Sequence, residues 1–494
     1  MLAKFADELK SDGLLPRLRD GLIGEGRLIP GADGEVRLRY ADYAASGRAL
    51  SQVENFISEE ILPFYANSHT ETSYCGAVMN KRRAEARAEI ARICGADDER
   101  FAVIFTGSGA TAAANKTAQL ILGVDGAEKP RRNFLSFMGR NSARAKATRP
   151  LVIIGPYEHH SNILPWRESG AKVIEISEAP NGGPDLNTLE AVLRENAGKR
   201  KIIGAFSAAS NVTGICTDIV AVTRLLKKYG ARAVWDYAAA APYLPVTMTP
   251  AEDAPIDAIF ISPHKYIGGP GASGVLIFRK EAATIARPTQ PGGGTVLFVS
   301  PTGHRYLPDL VAREEAGTPN IVGDIRAALA MMVKNAVSDE FVLARDKEFA
   351  SRAMKAWKAE PLLEILGNCE ARRLPVFSVR VRDGKGGYVH HLLFTRMLSD
   401  YYGVQARGGC VCAGPYGHRL LGIDDAESQR LLKLIEAGYE DEKPGWVRVN
   451  FSWLMTDEDA EFLINAVAEL AHRAPELAER YDNNPATARF TIAA

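Results

Sequence analysis

The chain has 494 residues, 46% of them hydrophobic, and 60 Lys and Arg balance 60 Asp and Glu, so the formal net charge is zero. That length predicts two domains rather than one small one, and the balanced charge argues against nucleic acid or an acidic membrane surface as a partner. No apolar run reaches membrane-spanning length, the 6 cysteines are scattered, and Met1 to Lys10 is charged and amphipathic without a signal-peptide core, which predicts a cytoplasmic protein with free thiols.

In chain order, the first strong signal is Phe101 to Thr106, an apolar strand. A small-residue turn, Gly107 to Thr111, follows it, and Ala112 to Leu122 reads as a helix. Strand, glycine turn and helix N-terminus form an anion pocket from backbone N–H groups and the Thr111 hydroxyl. No Walker lysine follows, so a nucleotide triphosphate loop is not supported. Residues 127–150 carry Arg131, Arg132, Arg140, Arg144, Lys146 and Arg149 with Phe134 and Phe137 between them. A solvated loop is the favoured reading; docking of an acidic partner is the sharper one.

Leu151 to Ile154 is the next strand, and it runs into Gly155-Pro-Tyr-Glu-His-His-Ser-Asn162. A histidine at such a strand end can stack on a flat ligand and relay protons. Strands over 172–176 and 201–206 alternate with helices over 187–195 and 218–229. That rhythm predicts a mostly parallel sheet with helices on both faces and a ligand at the strand carboxyl ends. Ala231 to Asp236 is a short buried strand ending in a carboxylate. Taken alone, Asp236 reads equally as a helix N-cap.

Asp257 to Lys265 then runs an apolar strand into Ser262-Pro-His-Lys265, followed by Gly268, Gly269 and Gly271. A lysine at the mouth of a buried strand is poorly solvated, so its pKa falls and its amine becomes a nucleophile. Ser262 and His264 can hold an anion beside it. A buried Asp236 can keep a pyridine nitrogen protonated, so the set suits pyridoxal phosphate (PLP) held as a Schiff base. Gly269 to Gly274 fits the dinucleotide pattern G-x-G-x-x-G but leads into a strand over 275–278, and that reading is rejected. From about Ile321 long helices (323–333, 340–358) precede short strands (375–381, 404–407) and further helices (427–437, 457–472), a smaller α+β unit.

The segments Tyr40 to Ser46, Phe105 to Thr111, Glu158 to Asn162, Ser210 to Gly214, Asp236, Ser262 to Lys265 and Glu315 to Asn320 resemble the class V aminotransferase superfamily, in family order. Within it they are most similar to the cysteine desulfurase and selenocysteine lyase group of SUF type. The resemblance implies an α/β protein of PLP-dependent transferase fold type I. Its large domain would hold a mostly parallel sheet flanked by helices, with a smaller α+β C-terminal domain. The implied division is an N-terminal segment 1–38 packing on the small domain, a large PLP-binding domain 39–322 and a small domain 323–494. A homodimer with sites near the subunit interface is implied as well. Lys265 would carry the cofactor, Asp236 pair with the pyridinium, and His159 stack on the ring. Asn211 would lie near the ring hydroxyl or substrate. Gly109, Ala110, Thr111, Ser262 and His264 would hold the phosphate, and Thr295 would reach the phosphate of the other subunit.

The subgroup rests on Ala406 to Gly417. Arg407, Gly409, Cys412 and Ala413 match the SUF-type segment that carries the sulfur-accepting cysteine, and a nearby guanidinium favours a thiolate. Arg448, on a strand over 446–450, matches the arginine that clamps the substrate carboxylate, assisted by Arg407; a planar fork suits that two-point contact. The sequence departs from the family at Ala239, where a glutamine commonly holds the ring hydroxyl, and at Cys410 and Val411, which replace paired histidines. Cys410 and Cys412 with His418 are too few ligands for zinc. The expected reaction is L-cysteine or selenocysteine to L-alanine with a persulfide on Cys412, passed to a sulfur-acceptor protein. A transaminase, epimerase or C–S lyase on the same scaffold, acting on a small amino acid without a cysteine nucleophile, stays open.

Overall fold

The computed structural model describes residues 1–67, 71–123, 149–410 and 412–493. Its centre is a seven-stranded sheet in the order 101–106, 274–279, 258–261, 232–236, 202–207, 151–154, 172–175. All strands run in one sense except Gly274–Arg279, which pairs antiparallel to both neighbours. The interior strands are buried on both faces, as in parallel sheets covered by helices. Alternate residues divide between two apolar layers: Val103, Ile153, Phe206, Trp235 and Ile259 on one face, and Ile104, Val152, Ala205, Val234 and Phe260 on the other.

Register places Ser207 beside Asp236 and Asp236 beside Phe260. The carboxyl ends of neighbouring strands therefore deliver the turns after Thr106, Ile154, Ser207, Asp236 and Ile261 to one crevice. The turns at 107–109 and 262–265 are held together, since Ala110 N–H donates to Ser262 Oγ at 3.0 Å.

A second, antiparallel sheet orders Leu363–Ile365, Val376–Val381, Trp446–Asn450 and Arg407–Gly409. Helices Asp339–Lys358, His391–Tyr402 and Asp457–Leu477 cover it through a separate core around Trp357, Phe377, Phe394 and Phe451. The expected single strand over 404–407 is two pieces. Val404–Gln405 pairs with Arg39–Tyr40, and Arg407–Gly409 pairs with Trp446–Asn450.

The N-terminal residues contact both units. Leu2, Phe5, Leu9 and Leu18 join the core of the large sheet, while the hairpin Leu28–Gly31 and Gly34–Arg37 lies near helix His391–Tyr402, with Ala32 N–H donating to Asp400 O. Helix Ile321–Ala336 packs on Tyr74–Ile93 in the large-sheet core. The domain limits at 38/39 and 322/323 are therefore a proposal about folding units, with contacts crossing both. Most of the basic segment, including Arg131, Arg132, Phe134, Phe137, Arg140, Arg144 and Lys146, lies outside the described residues. Arg149 donates to Gly170 O and Ala171 O.

Candidate active site

A cavity of about 560 Å3 opens at the strand carboxyl ends. Gly109, Ala110, Thr111, His159, Asn211, Asp236, Ser262, His264, Lys265, Arg407, Cys412 and Arg448 all line it. Of the residues expected to act on cofactor or substrate, Thr295 does not line it. It is buried elsewhere, and its hydroxyl donates to Gly292 O at 2.7 Å.

Lys265 closes a short 3-10 turn whose N–H groups bond back to Ser262 O and Pro263 O. The segment after Tyr40 braces that turn: Gly47 N–H donates to His264 O at 2.9 Å, and a Cβ on Gly47 would lie 1.8 Å from Tyr266 O. Only a residue without a side chain permits that approach. Burial brings Lys265 down to about 8, helped by Arg448 and Arg407 and opposed by Asp236. The amine is thus far closer to its neutral, nucleophilic form at neutral pH than a solvated lysine.

Asp236 ends its strand with Oδ1 accepting Ala238 N–H at 2.7 Å. Burial raises it to about 6, against the pull of that bond and of Lys265. A protonated ring nitrogen would add a cation and favour the carboxylate further. His159 is held by Ser161, whose N–H donates to Nδ1 at 3.1 Å. Burial first, then the charge on Lys265, lowers it to about 3, which leaves a neutral ring suited to stacking.

One carboxylate organises two guanidiniums of the cavity lining. Asp42 Oδ1 accepts from Arg448 Nη2 at 2.7 Å, and Oδ2 accepts from Arg407 Nε at 2.9 Å. Arg448 is 2% exposed, its Nη1 donates to Asn211 O at 3.1 Å, and its Nε has no hydrogen-bond partner among the described residues. Sequence reasoning placed Asp42 in a motif without giving it a task. The available signal was an acidic residue in an otherwise apolar, small-residue segment.

Cys412 and Cys410 are exposed and free. Cys412 has φ 58°, the left-handed region that residues with a Cβ rarely enter. Its neighbour Ala413 is fully buried in a seam with Tyr157, Tyr416 and Trp446 that joins the two units. Ala238 and Ala239 both line the cavity, so small side chains stand where the sequence pattern calls for a glutamine. Among the described residues no group of three or more His, Cys, Asp or Glu is placed to hold a metal, and no helix is long and apolar enough to cross a membrane.

Comparison with known proteins assigns this geometry to a family. Residues 133–463 match the family described as aminotransferase class-V. The chain belongs to that family. Among proteins similar to this class-V enzyme, a "probable cysteine desulfurase" of Streptomyces coelicolor is 27% identical over 385 residues, 77% of this chain and 84% of its own. One from Staphylococcus aureus is 25% identical over 438 residues, 88% of this chain and 92% of its own. The fold is shared with the apo cysteine desulfurase of Thermococcus onnurineus NA1, at a TM-score of 0.69 and 22% identity over 88% of this chain and 95% of that one. The cysteine desulfurase CsdA of Escherichia coli matches at 0.66 and 22% over 88% and 94%.

Class-V enzymes depend on PLP, and the residues of this cavity fit it. Helix Ala110–Leu122 presents its N-terminus to the space beside Ser262 and His264. A Cβ on Gly109 would lie 3.3 Å from both Ser262 Oγ and His264 Nε2, so the glycine keeps a cradle open for a phosphate. Asp236 would offer an acceptor to a ring nitrogen, and Lys265 would offer an amine to an aldehyde.

Proposed function

We propose that this class-V enzyme is a cysteine desulfurase, converting L-cysteine or L-selenocysteine to L-alanine and, with cysteine, retaining the sulfur as a persulfide on Cys412. One observation carries the reading: Cys412 lines the same cavity as Lys265, Asp236 and the Arg448–Arg407 pair. The names of the curated relatives point the same way.

Arg448 and Arg407 hold the substrate carboxylate, taking over contacts now made to Asp42. Asn211, whose carbonyl accepts from Arg448 Nη1, lines the same cavity and limits where the amino acid sits. PLP, when bound, supplies an electron sink for the pair released at Cα. Lys265 takes the Cα proton, as a buried amine of lowered pKa can do. The Cys412 thiolate attacks the substrate sulfur, forming an S–S bond. The Cβ–S bond breaks and leaves its electron pair on Cβ, which takes up a proton, and Lys265 returns the proton to Cα to complete alanine. The persulfide passes to an external thiol or a sulfur-acceptor protein, so the enzyme needs no oxidant.

The site is proposed to work in a homodimer in the cytoplasm. The hairpin Val296–Ser300 and Gly303–Tyr306 exposes Leu297, Phe298 and Val299 at 61%, 65% and 61%. An apolar tip of that size suits a protein partner, and a second copy would also bring Thr295 toward the other site. The test is incubation of the PLP-loaded enzyme with cysteine and with several other amino acids, scoring alanine, sulfide and keto acid. Equal alanine and sulfur from cysteine supports the reading; keto acid or racemised substrate without sulfur release overturns it.

A further inference from the structure

His160 stands next to the proposed ring-stacking His159 but faces another way, toward the loop of Cys412. Its backbone N–H donates to Cys412 O at 2.9 Å, and its ring Nε2 accepts Gly414 N–H at 2.8 Å. The two bonds bracket Ala413, from the carbonyl of Cys412 to the amide of Gly414. A Cβ on Gly414 would lie 3.0 Å from that same Nε2, so the glycine is what lets the ring come so close. Burial, and then the charge on Arg167, lowers the pKa of His160 and favours the neutral ring, whose Nε2 accepts from Gly414 in the tautomer protonated at Nδ1.

We propose that His160 is a positioning residue for Cys412, clamping the loop so that the cysteine is held in its left-handed conformation with the thiol at the cavity; this rests on the desulfurase reading for its catalytic meaning. The strain at Cys412 requires such a hold, because a residue with a Cβ at φ 58° relaxes unless its surroundings fix it. The anchors nearby secure other points. Ala413 is buried in the seam, and Arg419, farther along helix Gly414–Leu421, donates to Pro156 O. Among these anchors, His160 bonds the carbonyl of the strained residue itself. The same short segment then fixes both the ring face, through His159, and the sulfur acceptor, through His160.

The test compares His160→Leu, which removes the acceptor, with His160→Gln, whose side-chain oxygen reaches the same place. Gly414→Ala pushes the ring away by an independent route. In PLP-loaded enzyme, hydrogen exchange at the Gly414 amide is expected to quicken about tenfold in His160→Leu and Gly414→Ala and stay near wild type in His160→Gln. The rate of single-turnover persulfide formation is expected to fall about tenfold, with its dependence on cysteine concentration and the PLP absorbance unchanged, and to recover in His160→Gln. Wild-type exchange at Gly414 in both His160→Leu and Gly414→Ala would overturn the clamp, as would equal impairment of the Gln and Leu variants. If the wild-type enzyme forms no persulfide from cysteine, the desulfurase reading fails while the exchange comparison still decides the clamp.

Discussion

Arg448→Lys keeps the positive charge but removes the planar fork. In the structure Nη2 is committed to Asp42 at 2.7 Å and Nη1 to Asn211 O at 3.1 Å, in a position only 2% exposed. A lysine ammonium cannot exchange its Asp42 contact for two parallel donors to a substrate carboxylate. The loss is one hydrogen bond between charged groups, about 1.5–3 kcal/mol in a buried setting. That corresponds to a rise of roughly 10- to 150-fold in KM for cysteine, with a smaller effect on kcat. The assay is steady-state alanine formation across cysteine concentrations, with thermal unfolding of the PLP-loaded variant to show that the fold is retained. A folded variant with wild-type KM would refute the carboxylate clamp and require a different one.

Further outcomes follow from the same geometry. Asp42→Asn leaves the buried Arg448 without its counter-ion, so it should destabilise the enzyme by about 3 kcal/mol in chemical denaturation; an unchanged midpoint would show that Asp42 does not organise the pair. Lys265→Ala should lose the visible absorbance of linked PLP, and an unchanged band would place the cofactor on another residue. Because the neutral amine reacts and burial brings Lys265 to about 8, PLP uptake by the apoenzyme should quicken as pH rises through about 8 and then level off; a rise that continues toward 10.5 would contradict that environment. Gly47→Ala should lower both PLP retention and thermal stability, since its Cβ would lie 1.8 Å from Tyr266 O; wild-type behaviour would mean the lysine turn is not braced there.

Much of the large sheet was legible because its strands are short apolar runs, buried on both faces and ending at a carboxylate, glycine turn or His-Lys pair. Those ends are also where the cavity formed, so Lys265, Asp236, His159 and the 107–111 turn came together as the pattern implied. Features set by distant contacts were not legible. The segment 404–409 divides because its first part pairs with Arg39–Tyr40 and its second with Trp446–Asn450. Asp42 gained its place only when folding brought Arg407 and Arg448 to it. The left-handed backbone of Cys412 carries no sequence mark, since glycine is the residue expected there. Thr295, expected to act on a second subunit, lies buried away from the cavity of its own chain.

The central claim is that Cys412 accepts the substrate sulfur. Its most direct measurement is a single turnover of cysteine by PLP-loaded wild-type and Cys412→Ser enzymes, scoring alanine and protein-bound persulfide together. The predicted result is one alanine and one persulfide on Cys412 in the wild type, and neither in the variant, with PLP retained in both. Full alanine formation by Cys412→Ser would contradict the account and leave a C–S lyase or another PLP reaction in its place.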